Sequence, residues 1–424
     1  MKNVHTYTFG CKVNYFDTTQ LEAVLENSGA VVDHARQKSP DTIVVNTCTV
    51  TESADKQANQ LIRKLKKEHP QAQIVVTGCY TQQKDHQLAS MQEIDVIVDM
   101  KDQLQMPSKI GWAKARTSLT LPIVTTHRTR ANVKIQDGCQ AYCTYCILPY
   151  VRGKSRSIQM DHIIKQVASF VEEGHQEIIV TGTHIAGYGR DFTERKRLSD
   201  LLYAIYQTFP KLWIRVSSLE PVGVTPDFIK AVKQIPTIRP HFHIPLQSGC
   251  DKILKAMNRK YKTKHYQERI KKLHATNDAV SIGTDVIVGF PGETKDDFEE
   301  TFSFIQNLPL SYLHVFPYSS RPGTKSASFE ETVSPEEKKE RVQRLLALSK
   351  KKKMHFLSGF DQKNTTVIVE KKRTEDGYLK GVSPHWISVR FKGDDRLMAK
   401  EIEVNLASMA FDTKDDPYFV GRVL

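Results

Sequence analysis

Along the first hundred residues, short runs rich in valine, isoleucine and threonine alternate with longer stretches whose apolar residues recur three and four apart. VHTYTF precedes DTTQLEAVLENSG, TIVVNT precedes TESADKQANQLIRKLKKEH, and QIVVTG precedes a shorter helical piece before VIVDM. Two periodicities in alternation predict an open α/β domain over 1–106, its sheet mostly parallel. The pattern stops over 107–131, where Thr, Ser, Arg and Pro occur without a clear period, and that stretch reads as a linker.

A second alternating series occupies 132–357. NVKIQ, EIIVTG, WIRVSS, HFHIPL, SIGTDVIVGF and YLHVFPY are its strand candidates, separated by helical stretches. Six strand–helix units predict a partial (β/α)6 parallel barrel. The closing helix is SPEEKKERVQRLLALSKKKK, where Ser334 and Glu337 form a capping box around Pro335 at the first helical position. Thr294 and Asp297 mark another helix start. Over 358–424 the pattern changes to close-spaced strands, TTVIVEKK, GYLKGV, WISVRF, EIEVNL and YFVGRVL, which predict a small antiparallel β-barrel.

At 424 residues the chain exceeds what one core accommodates, in keeping with several domains. Its net charge of +13, from 61 Lys+Arg against 48 Asp+Glu, favours a polyanionic partner such as nucleic acid. The excess is not in the tail: from Phe360 onward 11 basic and 11 acidic residues cancel. Runs such as IRKLKKEH read equally as solvated helix faces. No apolar stretch reaches membrane-span length and MKNVHTYTFG lacks a secretory core, so a soluble cytoplasmic protein is expected, with no membrane partner. There thiols stay reduced, and seven cysteines, three of them crowded together, point to metal or catalysis before disulfides.

The crowded three, Cys139, Cys143 and Cys146, lie in DGCQAYCTYCILPY just after a strand candidate. Their spacing would put them on one face of a helix, but Gly138 and Pro149 describe a loop leaving the carboxyl end of a strand. Zinc would need a fourth ligand, and nothing suitable is paired nearby. An iron–sulfur cube suits closely spaced thiolates on a loop, and three thiolates for four irons leave one iron open. The C-x3-C-x2-C spacing with Tyr145 before the last cysteine resembles the signature of radical S-adenosylmethionine enzymes. That resemblance implies that S-adenosylmethionine chelates the open iron and is cleaved to a 5′-deoxyadenosyl radical.

Cys11, Cys48 and Cys79 are far apart, and an isolated cysteine is by default a small buried hydrophobe. Yet each follows a β-run, in YTFGC, VVNTC and VVTGC, so parallel strands would deliver all three to one carboxyl edge, where α/β sheets bind ligands. A second three-thiolate cluster is therefore expected. TFGCKVN, NTCTVTESADKQ and VVTGCYTQ upstream of the radical triplet resemble the methylthiotransferases over nearly the whole chain. The resemblance implies two 4Fe-4S clusters and S-adenosylmethionine as cofactors and a C-terminal RNA-binding barrel of the TRAM type. It further implies sulfur and methyl insertion at an unactivated C–H bond. The partners expected are tRNA, an electron donor such as a flavodoxin or ferredoxin, and a sulfur donor.

Strand ends of a parallel barrel are the usual place for ligand contacts. They offer Thr181, Gly182 and His184; Ser217, Ser218 and Glu220; Gln247 and Ser248; and Val288, Gly289 and Glu293. Thr181 and Gly182 are cofactor-binding candidates on that ground, each also readable as a turn or cap residue. By resemblance, Tyr145, Ser217, Gln247 and Val288 would surround the adenosyl moiety. Arg152, Lys154 and Arg156 in YVRGKSRS are candidates for gripping RNA phosphates or the cosubstrate carboxylate, a plain solvated loop being the alternative. Cys250 has no partner by spacing and is expected to hold no metal. TFGCKVN and VTGTHIAGYG look most like the bacterial group acting on N6-threonylcarbamoyladenosine in tRNA. The isopentenyladenosine group would show Gln–Met–Asn after the first cysteine, and the group acting on a ribosomal-protein aspartate Pro–Lys–Asn.

Overall fold

The β-branched runs of the N-terminal region pair as parallel strands β1 (Lys2–Thr8), β2 (Ala30–Val32), β3 (Thr42–Thr47), β4 (Gln73–Gly78) and β5 (Val96–Ile97). Their order is β2-β1-β3-β4-β5. Every residue of β3 is buried, which is why TIVVNT carries no polar/apolar alternation. Helices α1 (Lys12–Asn27), α2 (Glu52–Glu68) and the short α3 (Met106–Lys109) connect or follow the strands. Thr51 caps α2 by accepting from the Ala54 amide, with Glu52 and Asp55 in the first turn and Lys66 and Lys67 in the last, each sign matching the helix dipole. The sequence pattern missed β2, three residues being too few to show a period. The structure, a computed structural model, describes residues 2–83, 87–112, 122–277, 279–413 and 416–424, so part of the linker expected over 107–131 lies outside the described residues.

The central region begins with β6 (Ala131–Asp137), α4 (Leu148–Val151), β7 (Arg156–Ser157), α5 (Met160–Glu172), β8 (Glu177–Gly182), α6 (Leu198–Thr208) and β9 (Trp213–Val216). It continues with α7 (Pro226–Gln234), β10 (His241–His243), α8 (Asp251–Ala256), α9 (Thr263–His274), β11 (Ser281–Val288), α10 (Lys295–Gln306), β12 (Tyr312–Pro317) and α11 (Pro335–Ser358). Parallel pairing runs β6-β8-β9 and β10-β11-β12. The two sheets meet through the Ile214–Ile238 bridge and the Leu219 amide on the His243 carbonyl at 2.9 Å. Six parallel strands in chain order thus curve into an incomplete barrel. Ala131, Val133, Ile178, Val180, Ile282 and Val286 bury their side chains in the core shared with the surrounding helices. The alternate residues Arg215, His241, His243, Asp285 and His314 turn into the lumen, where they line a cavity. An incomplete barrel leaves its lumen open along one side. Helix α1 packs on β6 and β8, and the C-terminal domain forms another wall of the cavity.

That domain consists of β13 (Asn364–Val369), β14 (Leu379–Val382), β15 (Ser388–Phe391), β16 (Glu401–Phe411) and β17 (Pro417–Val423), closed in the order β13-β14-β15-β17-β16. The antiparallel expectation holds for every pairing but one: β17 lies alongside β15 in a parallel pair, because β16, which separates them in sequence, reverses the chain. The barrel docks on the central domain through buried charge. Glu177, fully buried, accepts from Arg215 Nε at 2.8 Å and Arg239 Nε at 2.9 Å and lies 3.1 Å from Arg130 Nε. The same arginines reach across to Glu370, Glu401 and the carbonyls of Ser383 and Pro384. Three guanidiniums can be buried there because carboxylates and carbonyls take up most of their donors, Arg130 Nε and Arg239 Nη1 being left without a hydrogen bond. No described helix is long and apolar enough to cross a membrane.

Candidate active site

Because β1, β3 and β4 are parallel neighbours, the residues following them leave the same sheet edge, and these are Cys11, Cys48 and Cys79. Cys11 is the exposed N-cap of α1, whereas Cys48 and Cys79 are buried. Gly10 has φ of 93°, and a Cβ there would stand 2.7 Å from Cys48 Cβ and 2.8 Å from its Sγ. Only glycine lets the β1–α1 turn lie against Cys48. Burial pushes the Cys79 thiol up to about 12, and the charges of Cys48 and Cys11 push the same way against Arg152. The thiol donates to Asn14 Oδ1 at 3.8 Å.

The second trio is held by the loop between β6 and α4. Gly138, φ 73°, passes so close to the returning chain that a Cβ would stand 2.1 Å from the Lys154 carbonyl oxygen. The Cys139 amide donates to the Gly153 carbonyl at 3.0 Å and the Thr144 amide to the Met257 carbonyl at 3.1 Å. No helix runs through Cys139, Cys143 and Cys146, which removes the helical-face alternative. Burial raises Cys146 to about 12, reinforced by Cys143 and Cys139. Arg259 Nη1 lies 3.1 Å from Cys143 Sγ and its other nitrogen pairs with Glu220.

A single metal ion needs its donor atoms close together. Among the described residues, the groups whose donors all lie within 4.8 Å of one another are His243–Asp285–His314 and Cys250–Asp297–Glu300; neither cysteine trio is among them. Sulfurs that converge on one loop or edge, but more widely than the ligands of one ion, suit a multi-iron cluster in which each iron takes one thiolate. Each trio, on its donor chemistry, fits a 4Fe-4S cluster with one iron left to an outside ligand. Cys250 is buried and its thiol donates to Asp297 Oδ1 at 3.4 Å.

Between the trios lies a seam of buried charge. Arg152 donates to Asp137 at 2.9 Å, to Asp17 on α1 at 2.9 Å, and to Asn14 Oδ1. Lys134 also reaches Asp17. Burial opposes ionisation of Asp137, but Lys134 and Arg152 outweigh it and hold the carboxyl far below the usual range. A second crossing joins Arg321 to Asp55 at 2.5 Å and to the Thr49 hydroxyl at 2.7 Å, next to Cys48. Arg152 thus does not stand with Lys154 and Arg156 on the surface: those two are exposed, while Arg152 is turned inward and saturated by protein oxygens.

The lumen cavity measures about 1190 Å³ and has Lys12, Ser217, Ser218, His243, Asp285 and His314 among its walls. Asp285 Oδ1 lies 2.9 Å from His243 Nε2 and 3.3 Å from His314 Nδ1. Burial lowers the Lys12 ammonium, the charge of Arg215 acting the same way and that of Cys11 opposing. Of the residues expected around an adenosyl group, Ser217 lines this cavity. Gln247 takes φ of 72° and bridges to Val286. Thr181 is buried at the end of β8, where Gly182 crowds the Gln136 carbonyl. Tyr145 packs beside Cys250, Phe290 and Tyr318. The Val288 side chain is in the outer core, leaving only its backbone for a ligand. Sequence reasoning missed Asn14, Asp17, Arg259 and Lys12 as site residues. Lys12 alone carried a local signal, its place after Cys11.

Residues 133–305 match the radical SAM superfamily, and residues 3–99 match the uncharacterized protein family UPF0004. The chain is 35% identical, over its whole length and 96% of that protein, to the threonylcarbamoyladenosine tRNA methylthiotransferase MtaB of Bacillus subtilis. It is 31% identical, over 96% of both chains, to the tRNA-2-methylthio-N(6)-dimethylallyladenosine synthase of Carboxydothermus hydrogenoformans. Among solved structures, the radical S-adenosylmethionine methyltransferase TsrM of Kitasatospora setae superposes with a TM-score of 0.57 at 13% identity, over 77% of each chain. At that identity the likeness extends to the fold alone.

Proposed function

The chain belongs to the radical SAM tRNA methylthiotransferases, and from that membership we propose that it converts N6-threonylcarbamoyladenosine next to the tRNA anticodon to its 2-methylthio derivative. The observation that carries the reading is the shared seam: Asn14 Oδ1 meets both Cys79 Sγ and Arg152, and Arg152 meets Asp137, two residues before Cys139. Two cysteine trios joined by one short buried path suit chemistry that needs a sulfur source beside a radical source.

In this reading Cys139, Cys143 and Cys146 hold the cluster that binds S-adenosylmethionine, and Cys11, Cys48 and Cys79 hold the auxiliary cluster. When bound, the radical cluster would supply the electron that cleaves S-adenosylmethionine, the auxiliary cluster would hold the sulfur, and S-adenosylmethionine would supply the methyl group. The protein's own part is placement. The Arg152–Asp17–Lys134 network fixes the two domains against each other, and Arg259 pairs with Glu220 beside Cys143. The lumen, walled by Ser217, His243, Asp285 and His314, offers hydrogen-bonding groups to a polar N6 substituent in preference to an isopentenyl one.

The basic balance of +13, with the exposed Lys154 and Arg156 near the radical trio, suits the tRNA phosphates. A flavodoxin or ferredoxin as electron donor and a separate sulfur donor complete the proposed partners. Nucleoside mass spectrometry of tRNA from a deletion strain tests the reading: the 2-methylthio derivative of threonylcarbamoyladenosine should vanish. Its persistence, with loss of methylthio-isopentenyladenosine instead, would move the enzyme to that substrate.

A further inference from the structure

We propose that Lys12 is the group that grips the substrate's carboxylate, and that it thereby sets a preference for an acidic over a neutral or apolar N6 substituent. The inference rests on the reading above, because the threonyl group of the proposed substrate carries that carboxylate.

Lys12 is the first residue of α1, directly after the cysteine that caps it. The strand-to-helix turn that brings Cys11 to the sheet edge therefore also sends the next side chain into the lumen, where Lys12 lines the cavity with Arg215, Ser217 and His241. Among the described residues no carboxylate lies within salt-bridge distance of its ammonium. The other strong cation of that wall, Arg215, is consumed by Glu177 and by the carbonyls of Ser383 and Pro384. Asp285, the acid of the lumen, is engaged by His243 and His314. Of the other lysines on the cavity wall, Lys353 is paired with Asp416 and Lys380 stands on the C-terminal barrel, whereas Lys12 directly follows Cys11 of the auxiliary trio. An incoming carboxylate can therefore form a charge-assisted contact with an ammonium that no protein carboxylate already holds.

The placement also suits the reaction. In a purine, C2 and the carbon bearing the N6 substituent flank the same ring nitrogen. An acid anchored next to Cys11 therefore turns that ring edge toward the auxiliary trio.

The test compares two anticodon stem-loops: one bearing threonylcarbamoyladenosine, and the same one with the threonyl carboxylate capped as its primary amide. Reconstituted wild type and the variants Lys12→Gln and Lys12→Arg are assayed for 2-methylthio product, and equilibrium binding of both stem-loops is measured without S-adenosylmethionine. Wild type should prefer the acid in kcat/KM and in binding by roughly 10- to 100-fold, the range of a charge-assisted contact. Lys12→Gln should bring the ratio close to one, and Lys12→Arg should keep most of it. The acid-to-amide ratio does not depend on how much enzyme is loaded with clusters, so a loading defect cannot imitate the result. The proposal is overturned if wild type converts acid and amide equally, or if Lys12→Gln keeps the wild-type ratio. It is also overturned if Lys12→Gln weakens both stem-loops alike, as a phosphate contact would. If wild type converts neither stem-loop, the proposed substrate itself is wrong and the inference falls with it.

Discussion

Arg152 donates to the Asp17 carboxylate at 2.9 Å across the boundary between the N-terminal and central domains, both side chains being almost wholly buried. The contact spans 135 positions of sequence and lies between the two cysteine trios. It joins two rigid elements: Asp17 stands on α1, which Cys11 caps, and Arg152 follows the loop that carries Cys139, Cys143 and Cys146. A buried ion pair of this kind adds little net stability, but it fixes one geometry, since any slip leaves charge uncompensated.

Replacing Arg152 by alanine should therefore cost about 3–5 kcal/mol in denaturant unfolding, because Asp17 and Asp137 would remain buried without their guanidinium. Lys154→Ala and Arg156→Ala remove exposed charges and should change stability by less than about 0.5 kcal/mol. Equal effects from all three substitutions would show that the seam carries no such load.

Two independent clusters predict a simple division of iron. Alanine at Cys139, Cys143 and Cys146 together should leave about half the iron and acid-labile sulfide of wild type, and so should alanine at Cys11, Cys48 and Cys79. Elemental analysis after anaerobic reconstitution reads the result. Complete loss from either triple variant would mean that one cluster depends on the other.

The two glycines preceding the trios should be separable in the same way. Gly138→Ala drives a methyl group to 2.1 Å from the Lys154 carbonyl and should spoil the radical trio. Gly10→Ala collides with Cys48 and should spoil the auxiliary trio. Both also force a positive φ on a residue with a side chain, at about 1–2 kcal/mol. Electron paramagnetic resonance of the reduced protein should find one cluster signal kept in each variant. Retention of both signals in either variant would contradict the packing.

A pH dependence follows from Asp297, which completes the capping box of α10 with Thr294. Burial raises its carboxyl, but Lys252 at 2.7 Å together with the Thr294 amide and hydroxyl outweighs that and holds it at about 2. The folded value lies below the unfolded one of about 3.9, so the carboxylate's stabilisation is complete above that pH and is lost as pH falls through about 2. Asp297→Asn should cost about 1 kcal/mol at pH 7, and the gap to wild type should narrow as unfolding is followed from about pH 4 down toward pH 2. A gap independent of pH would assign the effect to packing instead.

The sequence by itself determined most of the strands and which cysteines are the candidate ligands. Short β-branched runs alternating with helix-periodic stretches are set by side-chain geometry within a few positions, so β1, β3, β4 and all six strands of the partial barrel were legible in them. The Ser334 and Thr294 capping boxes, closed within three residues, were legible for the same reason. Cys139, Cys143 and Cys146 declared themselves by spacing, and Cys11, Cys48 and Cys79 by each following a β-run. Only the tertiary structure decided what those pieces face. Arg152 looked like part of a surface cluster with Lys154 and Arg156 because its partner Asp17 is far away in the chain. Glu177 gave no hint of gathering three arginines, the nearest of them 38 positions off. The parallel pairing of β15 with β17, and the lumen that Lys12 enters, depend on how whole elements pack. Periodicity and covalent spacing are short-range properties of a chain, whereas burial and charge pairing belong to whichever distant segments the fold brings into contact.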